Sequence, residues 1–143
     1  MTTLPITLTI AGAAALLNLW LAMRVSTLRR RHGVSLGDGG QAGLVARSRA
    51  HANFVEYAPF FLILLALIEL ARGSETWLWI AAIMFILGRI AHAFGMDRQG
   101  ANPLRVVGIV ITWLCLLALA AYAIALPYTQ PREVSIAAYS ASR

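Results

Sequence analysis

Four apolar runs divide the chain: Leu4 to Met23, Tyr57 to Ala71, Thr76 to Phe94 and Val106 to Leu126. A helix needs about 20 mostly apolar residues to cross a hydrocarbon core. The second run is short by that measure and reaches the length only if its helix begins near Ala42 and carries polar residues in with it. The pattern predicts an all-α integral membrane protein, a four-helix bundle in one domain. Its spans cover about 4–28, 43–71, 75–95 and 103–126, with 127–143 as a C-terminal tail. The breaks carry recognisable signals. Gly37, Asp38, Gly39 and Gly40 form a turn cluster, Gly73 reads as a C-cap and Ser74 as the N-cap of the third helix. Asn102 and Pro103 read as cap and first residue of the fourth helix, which Pro127 and Pro131 are expected to end.

Composition sharpens this picture. Hydrophobic residues make up 59% and charged residues only 13% of the 143 residues, and mean hydropathy is +0.72, too apolar for a soluble domain of this length. The first run lacks a basic flank before it and is closed by Arg24, Arg29, Arg30 and Arg31, so it reads as a retained span rather than a cleaved signal. All 12 basic residues are arginine and the net charge is +6. In a soluble protein that balance would suggest nucleic-acid binding. Here the arginines gather after span one and around the connection between spans three and four, so the positive-inside rule accounts for them without nucleic acid. It puts both connections in the cytoplasm, and both termini and the loop Arg72 to Glu75 on the other side. Cys115 is the one cysteine, which excludes a disulfide or a cysteine zinc site within one chain; no metal is expected. Trp20, Trp77 and Trp79 fall near span ends, where indoles anchor at headgroup level. The glycine cluster lacks the spacing and lysine of a phosphate loop.

The segment Arg47 to Pro59 is the most informative. At about 100° per residue, Arg49, Asn53 and Glu56 lie within roughly 60° of one another on one helix face, Tyr57 sits at its edge, and His51 points away. Ionised groups at membrane depth are costly unless paired with one another, with water or with a ligand. A mutual ion pair could consume Arg49 and Glu56. It would leave Arg89 and His92, which share a face of helix three, and Arg105 in the first turn of helix four. Arginines converging from three helices at one level favour a bound anion, and a helix N-terminus adds to that attraction.

These residues carry a family resemblance. The run Arg49 to Phe61, RAHANFVEYAPFF, resembles the second-helix motif of the MAPEG proteins, the membrane-associated proteins in eicosanoid and glutathione metabolism. It continues through Gly88 Arg89 Ile90 Ala91 His92 and Asn102 Pro103 Leu104 Arg105. The glycine cluster and Glu75 Thr76 Trp77 are most similar to bacterial members, which points to a bacterial inner membrane. The resemblance implies a homotrimer that binds glutathione as cosubstrate between subunits near the cytoplasmic side. Arg49, Asn53, Glu56 and Tyr57 match glutathione-binding positions, and Arg29 or Arg30 would reach the peptide from a neighbouring subunit. Arg89 and His92 match recurrent third-helix positions, and Arg105 matches the arginine that activates the thiol. Met96 departs from the pattern, because many eicosanoid-forming members carry a tyrosine there.

The resemblance thus implies a glutathione transferase or glutathione-dependent peroxidase acting on a hydrophobic electrophile that arrives from the membrane lipids. A competing reading is a non-catalytic lipid-binding or scaffold protein of the same family. A small multidrug transporter fits less well, since no acidic residue lies between Leu4 and Met23 for proton coupling.

Overall fold

The computed structural model of the chain describes residues 3–98 and 102–129. They form four helices: α1 (Pro5–His32), α2 (Ala42–Arg72), α3 (Thr76–Met96) and α4 (Pro103–Thr129). With 28, 31, 21 and 27 residues, they extend about 42, 46, 31 and 40 Å at the α-helical rise. All four are long and apolar enough to cross a membrane. α2 does start at Ala42, which supplies the length its apolar run lacks.

Three boundaries differ from expectation. Helix α1 continues through Arg29, Arg30, Arg31 and His32. Arginine is a good helix former, and positive charge favours a helix C-terminus. The chain turns only at Gly33, whose φ of 65° is left-handed and whose amide donates to the Arg29 and Arg30 carbonyls. Ser74 does not cap α3. Glu75 holds the cap position, while the Ser74 hydroxyl donates to Glu69 Oε1 at 2.7 Å, a carboxylate being the stronger acceptor. Pro127 does not end α4, which runs on to Thr129 with Pro127 in its last turn. Proline forfeits one backbone hydrogen bond, which a long helix can absorb near its end without stopping there. Pro131 lies outside the described residues. Gly73 closes α2, its amide donating to the Glu69 carbonyl, and Asn102 caps α4 through Oδ1, which accepts from the Leu104 amide at 2.9 Å.

The core runs along the seam of α1, α2 and α3, where Ile6, Ile10, Leu17 and Leu21 meet Phe54, Phe61, Leu65, Leu78 and Phe85. Phe61 and Phe85 stack with ring centroids 3.9 Å apart. α3 and α4 form the closest pair, and α1 and α4 do not touch. Glycines permit that closeness: a Cβ on Gly108 would lie 2.6 Å from the His92 nitrogen, and one on Gly95 would lie 2.7 Å from Arg105 Cα.

Polar clamps close the two ends. At one end Glu69, 2% exposed, accepts from the amides of Ile6 (3.0 Å) and Thr7 (2.8 Å) and from the hydroxyls of Thr7 and Ser74. It satisfies the N-terminus of α1, which has no side-chain cap of its own. At the other, basic end Asp97 pairs with Arg24 and, at 3.4 Å, with Arg47, joining α1, α2 and the end of α3. Arg24 also stacks over Trp20, 4.6 Å from the ring centroid.

Candidate functional site

Helical spacing builds a cleft toward the basic end. α2 contributes Arg49, Ala52, Asn53, Glu56 and Tyr57, α3 contributes His92 and Met96, and α4 contributes Arg105, Ile109 and Trp113. Each set repeats at three- or four-residue intervals, so it occupies one face of its helix. The cleft encloses about 460 Å³, within the range of about 300–1,000 Å³ typical of small-ligand sites.

The charged groups on its walls are not consumed by one another. Among the described residues neither Arg49, Glu56 nor Arg105 takes part in an ion pair. The pairing of Arg49 with Glu56 that the sequence allowed is absent within the chain. Three groups are fixed from behind. His92, 6% exposed, bonds the Arg105 carbonyl through Nδ1 at 3.1 Å. A carbonyl only accepts, so Nδ1 carries a proton, and in the neutral ring Nε2 is the acceptor. The bond ties α3 to the first turn of α4 at the residue whose side chain enters the cleft. Tyr57 accepts from Trp113 Nε1 at 3.1 Å, which leaves its own hydroxyl hydrogen to donate. Asn53 Oδ1 accepts from Arg89 Nη2 at 2.8 Å.

Arg89 itself is not on the cleft wall. It is 1% exposed and lies behind Asn53, with Nη1 3.4 Å from Thr112 Oγ1 and its guanidinium 5.7 Å from the Tyr57 ring centroid. Arg29 and Arg30 are elsewhere in the subunit, lining an open depression with Ser26, Thr27 and Val34 at the end of α1. Arg29 also borders a second depression that shares Arg49 and Ala52 with the cleft. His51 faces α1, its Nε2 2.9 Å from Asn18 Oδ1, on the side away from the cleft as helical spacing requires.

Of the residues singled out in the sequence, the structure gathers Arg49, Asn53, Glu56, Tyr57, His92 and Arg105, places Arg89 one layer behind, sets Arg29 on a neighbouring depression that shares Arg49 with the cleft, and leaves Arg30 apart. Sequence reasoning missed Trp113. The signal was there, since Arg105, Ile109 and Trp113 repeat every fourth residue and extend one face of α4 from the arginine toward the apolar middle of the helix.

The wall offers guanidinium donors at Arg49 and Arg105, an amide at Asn53, a phenol at Tyr57, and one carboxylate at Glu56. Such a surface suits a ligand with more negative than positive charge, carrying at least one cationic group for Glu56. The apolar stretch of Ile109 and Trp113 suits a second, hydrophobic component.

Comparison with known proteins agrees in scope. The MAPEG family profile matches residues 7–125. The chain is 35% identical over 108 residues to the inner membrane protein YecN of Escherichia coli K12, an alignment covering 75% of this chain and 81% of that protein. The protein of the same name from Escherichia coli O6:H1 matches to the same extent.

Proposed function

The chain belongs to the MAPEG family, and on that premise we propose that it is a membrane-bound glutathione transferase or glutathione-dependent peroxidase. It is an integral multi-pass membrane protein of a family named for eicosanoid and glutathione metabolism. The reaction, the thiol and the assembly are our reading. One observation carries it: Arg49, Glu56 and Arg105, without an ion-pair partner among the described residues, converge with Asn53, Tyr57 and His92 on a single cleft. Glutathione presents two carboxylates, one ammonium and a thiol, the complement of two guanidiniums, an amide and one carboxylate.

In this reading Glu56 takes the ammonium, Arg49 and Asn53 take carboxylate, and Arg105 faces the sulfur. A free thiol has a pKa of about 8.5, so little is ionised at neutral pH. A guanidinium beside it stabilises the thiolate and lowers that pKa, and arginine keeps its charge even when partly desolvated. The thiol proton leaves to solvent. The thiolate then attacks an apolar electrophile held against Ile109 and Trp113, forming a carbon–sulfur bond as the leaving group departs or the double bond takes up a proton. Arg29 or Arg30 of a neighbouring subunit completes the site in a homotrimer. The arginine-rich end faces the cytoplasm, where glutathione is available, and the chain resides in a bacterial inner membrane, in keeping with the name of its relatives.

Met96 lines the cleft where many eicosanoid-forming members place a phenol. That favours conjugation or peroxide reduction over an eicosanoid-specific reaction, and it is also the observation that favours the second reading, a non-catalytic lipid-binding scaffold. A thiolate absorbance titration separates the two. Glutathione added to the detergent-solubilised protein at neutral pH should generate a thiolate band that saturates with occupied sites. If none develops at millimolar glutathione, the enzyme reading fails and the scaffold takes its place.

A further inference from the structure

Arg89 combines features that a packing residue would not need. It is a cationic side chain, 1% exposed, with no carboxylate within ion-pair distance among the described residues and with its Nε unpartnered. Leaving a guanidinium in that state is costly. An apolar side chain of similar length would fill the space without that cost. Its one short contact is Nη2 to Asn53 Oδ1, at 2.8 Å; the other, to Thr112, is long at 3.4 Å. Thr112 has already turned its own hydrogen to the Gly108 carbonyl, so its oxygen is oriented to accept from Arg89.

A guanidinium has no acceptor. Any asparagine bonded to it must therefore present its oxygen, whichever way the amide would otherwise turn. Asn53 is thereby locked with Oδ1 inward, and its Nδ2 is left with no acceptor in the chain among the described residues. Since Asn53 lines the cleft, the group it offers a ligand is an N–H donor and not a carbonyl.

We propose that Arg89 is a positioning residue that acts through Asn53: it fixes the amide so that Asn53 is a dedicated donor to a carboxylate of the peptide substrate. Arg89 itself does not touch the ligand. An unconstrained amide would spend part of its time with its oxygen toward the incoming carboxylate, which repels it. This inference deepens the glutathione reading and rests on it.

The test is a double-substitution cycle on glutathione affinity in the intact, detergent-solubilised protein. Arg89→Met should raise the Kd about tenfold in the parent background but less than twofold once Asn53→Ala is present, because the amide to be oriented is gone. In turnover the loss should fall on KM, with kcat at saturating glutathione within about threefold. Equal effects in both backgrounds overturn the proposal, since Arg89 would then act directly on the ligand or through the fold. Asn53→Asp gives a second route should Arg89→Met not fold. It keeps an oxygen for Arg89 and adds a charge pair, so the melting temperature should hold or rise, yet it removes the donor. Glutathione Kd should increase at least tenfold. A protein carrying Asn53→Asp that binds like the parent overturns the proposal. A parent that binds no glutathione overturns the enzyme reading and this inference together, whereas a parent that binds without coupling between the two positions overturns this inference alone.

Discussion

Arg105 and Glu56 stand exposed on the two sides of the cleft with opposite charges and, among the described residues, no ion-pair partner, so replacing each should damage a different step. In the proposed reading, Arg105→Ala removes the charge beside the sulfur. The bound thiol's pKa returns toward about 8.5, so conjugation should fall tenfold or more at neutral pH and recover as the pH is raised through that value. Glutathione affinity should stay within a few-fold. Arg105→Lys should restore part of the rate, because it returns the charge without the planar fork. A pH–rate profile that superimposes on the parent's would remove Arg105 from catalysis. Glu56→Ala should act on binding instead. Losing a charge-assisted contact of about 1.5 to 3 kcal/mol raises the Kd roughly tenfold to a hundredfold, measurable by calorimetry. An unchanged affinity would mean that the ammonium of the peptide lies elsewhere. Both side chains could be picked out from the sequence, since ionised groups on an apolar helix must answer to something. Arg89 shows the limit at this scale. Its neighbour His92, three residues on, shares its helix face, and periodicity cannot say which of two such residues reaches the cleft and which stops behind Asn53.

That distinction is settled between elements, by how α3 is rotated against α4. The rotation follows from Gly88, Gly95 and Gly108, which let the two backbones meet. A Cβ at Gly95 would fall 2.8 Å from the Arg105 Cβ, so Gly95→Ala must push the first turn of α4 outward by about 1 Å to regain ordinary contact distance. Displacements of that size cost up to about a hundredfold in rate when they fall on a catalytic group. Gly95→Ala should therefore depress thiolate formation and turnover by tenfold or more with a smaller effect on peptide affinity. Gly12→Ala is the control, because nothing lies within 4 Å of the added methyl. If both variants behave alike in the thiolate titration, the glycine seam does not position Arg105. Helix existence was legible from hydropathy, and the α2 start from the length that hydropathy lacked. The Ser74 cap and the Pro127 stop were read from local preference: Ser74 gave way to the Glu69 carboxylate, a partner that local sequence does not describe, and Pro127 is absorbed into a helix that runs on to Thr129.

At the scale of the molecule, charge and exposure point to orientation and assembly. Arg24, Arg29, Arg30, Arg31, Arg47, Arg98 and Arg105 lie at the end of the bundle that holds the α1–α2 and α3–α4 connections. Reporter fusions after Gly40 should accordingly score cytoplasmic, and a fusion at Arg143 should score on the opposite side; a cytoplasmic Arg143 would reject the orientation. Assembly follows from what a lone subunit leaves open. α4 buries only Gly108, Thr112 and Leu119, α1 does not reach it, and the cleft between α2 and α4 therefore opens at the side of the bundle. Arg49, Glu56 and Arg105 are exposed there. Facing lipid, each uncompensated group would cost several kcal/mol, and the proposed assembly answers that cost by covering this side with other copies of the chain. In the proposed homotrimer their number is three, and the arginine-rich end of one α1 would close the neighbour's cleft. The solubilised protein should have the mass of three chains by light scattering corrected for detergent. Cysteines introduced by Arg30→Cys and Ala52→Cys should crosslink between subunits, since Arg30 lies outside its own subunit's cleft. A particle of two chains would leave the need for cover intact and reject the trimer, and a monodisperse single chain would reject both.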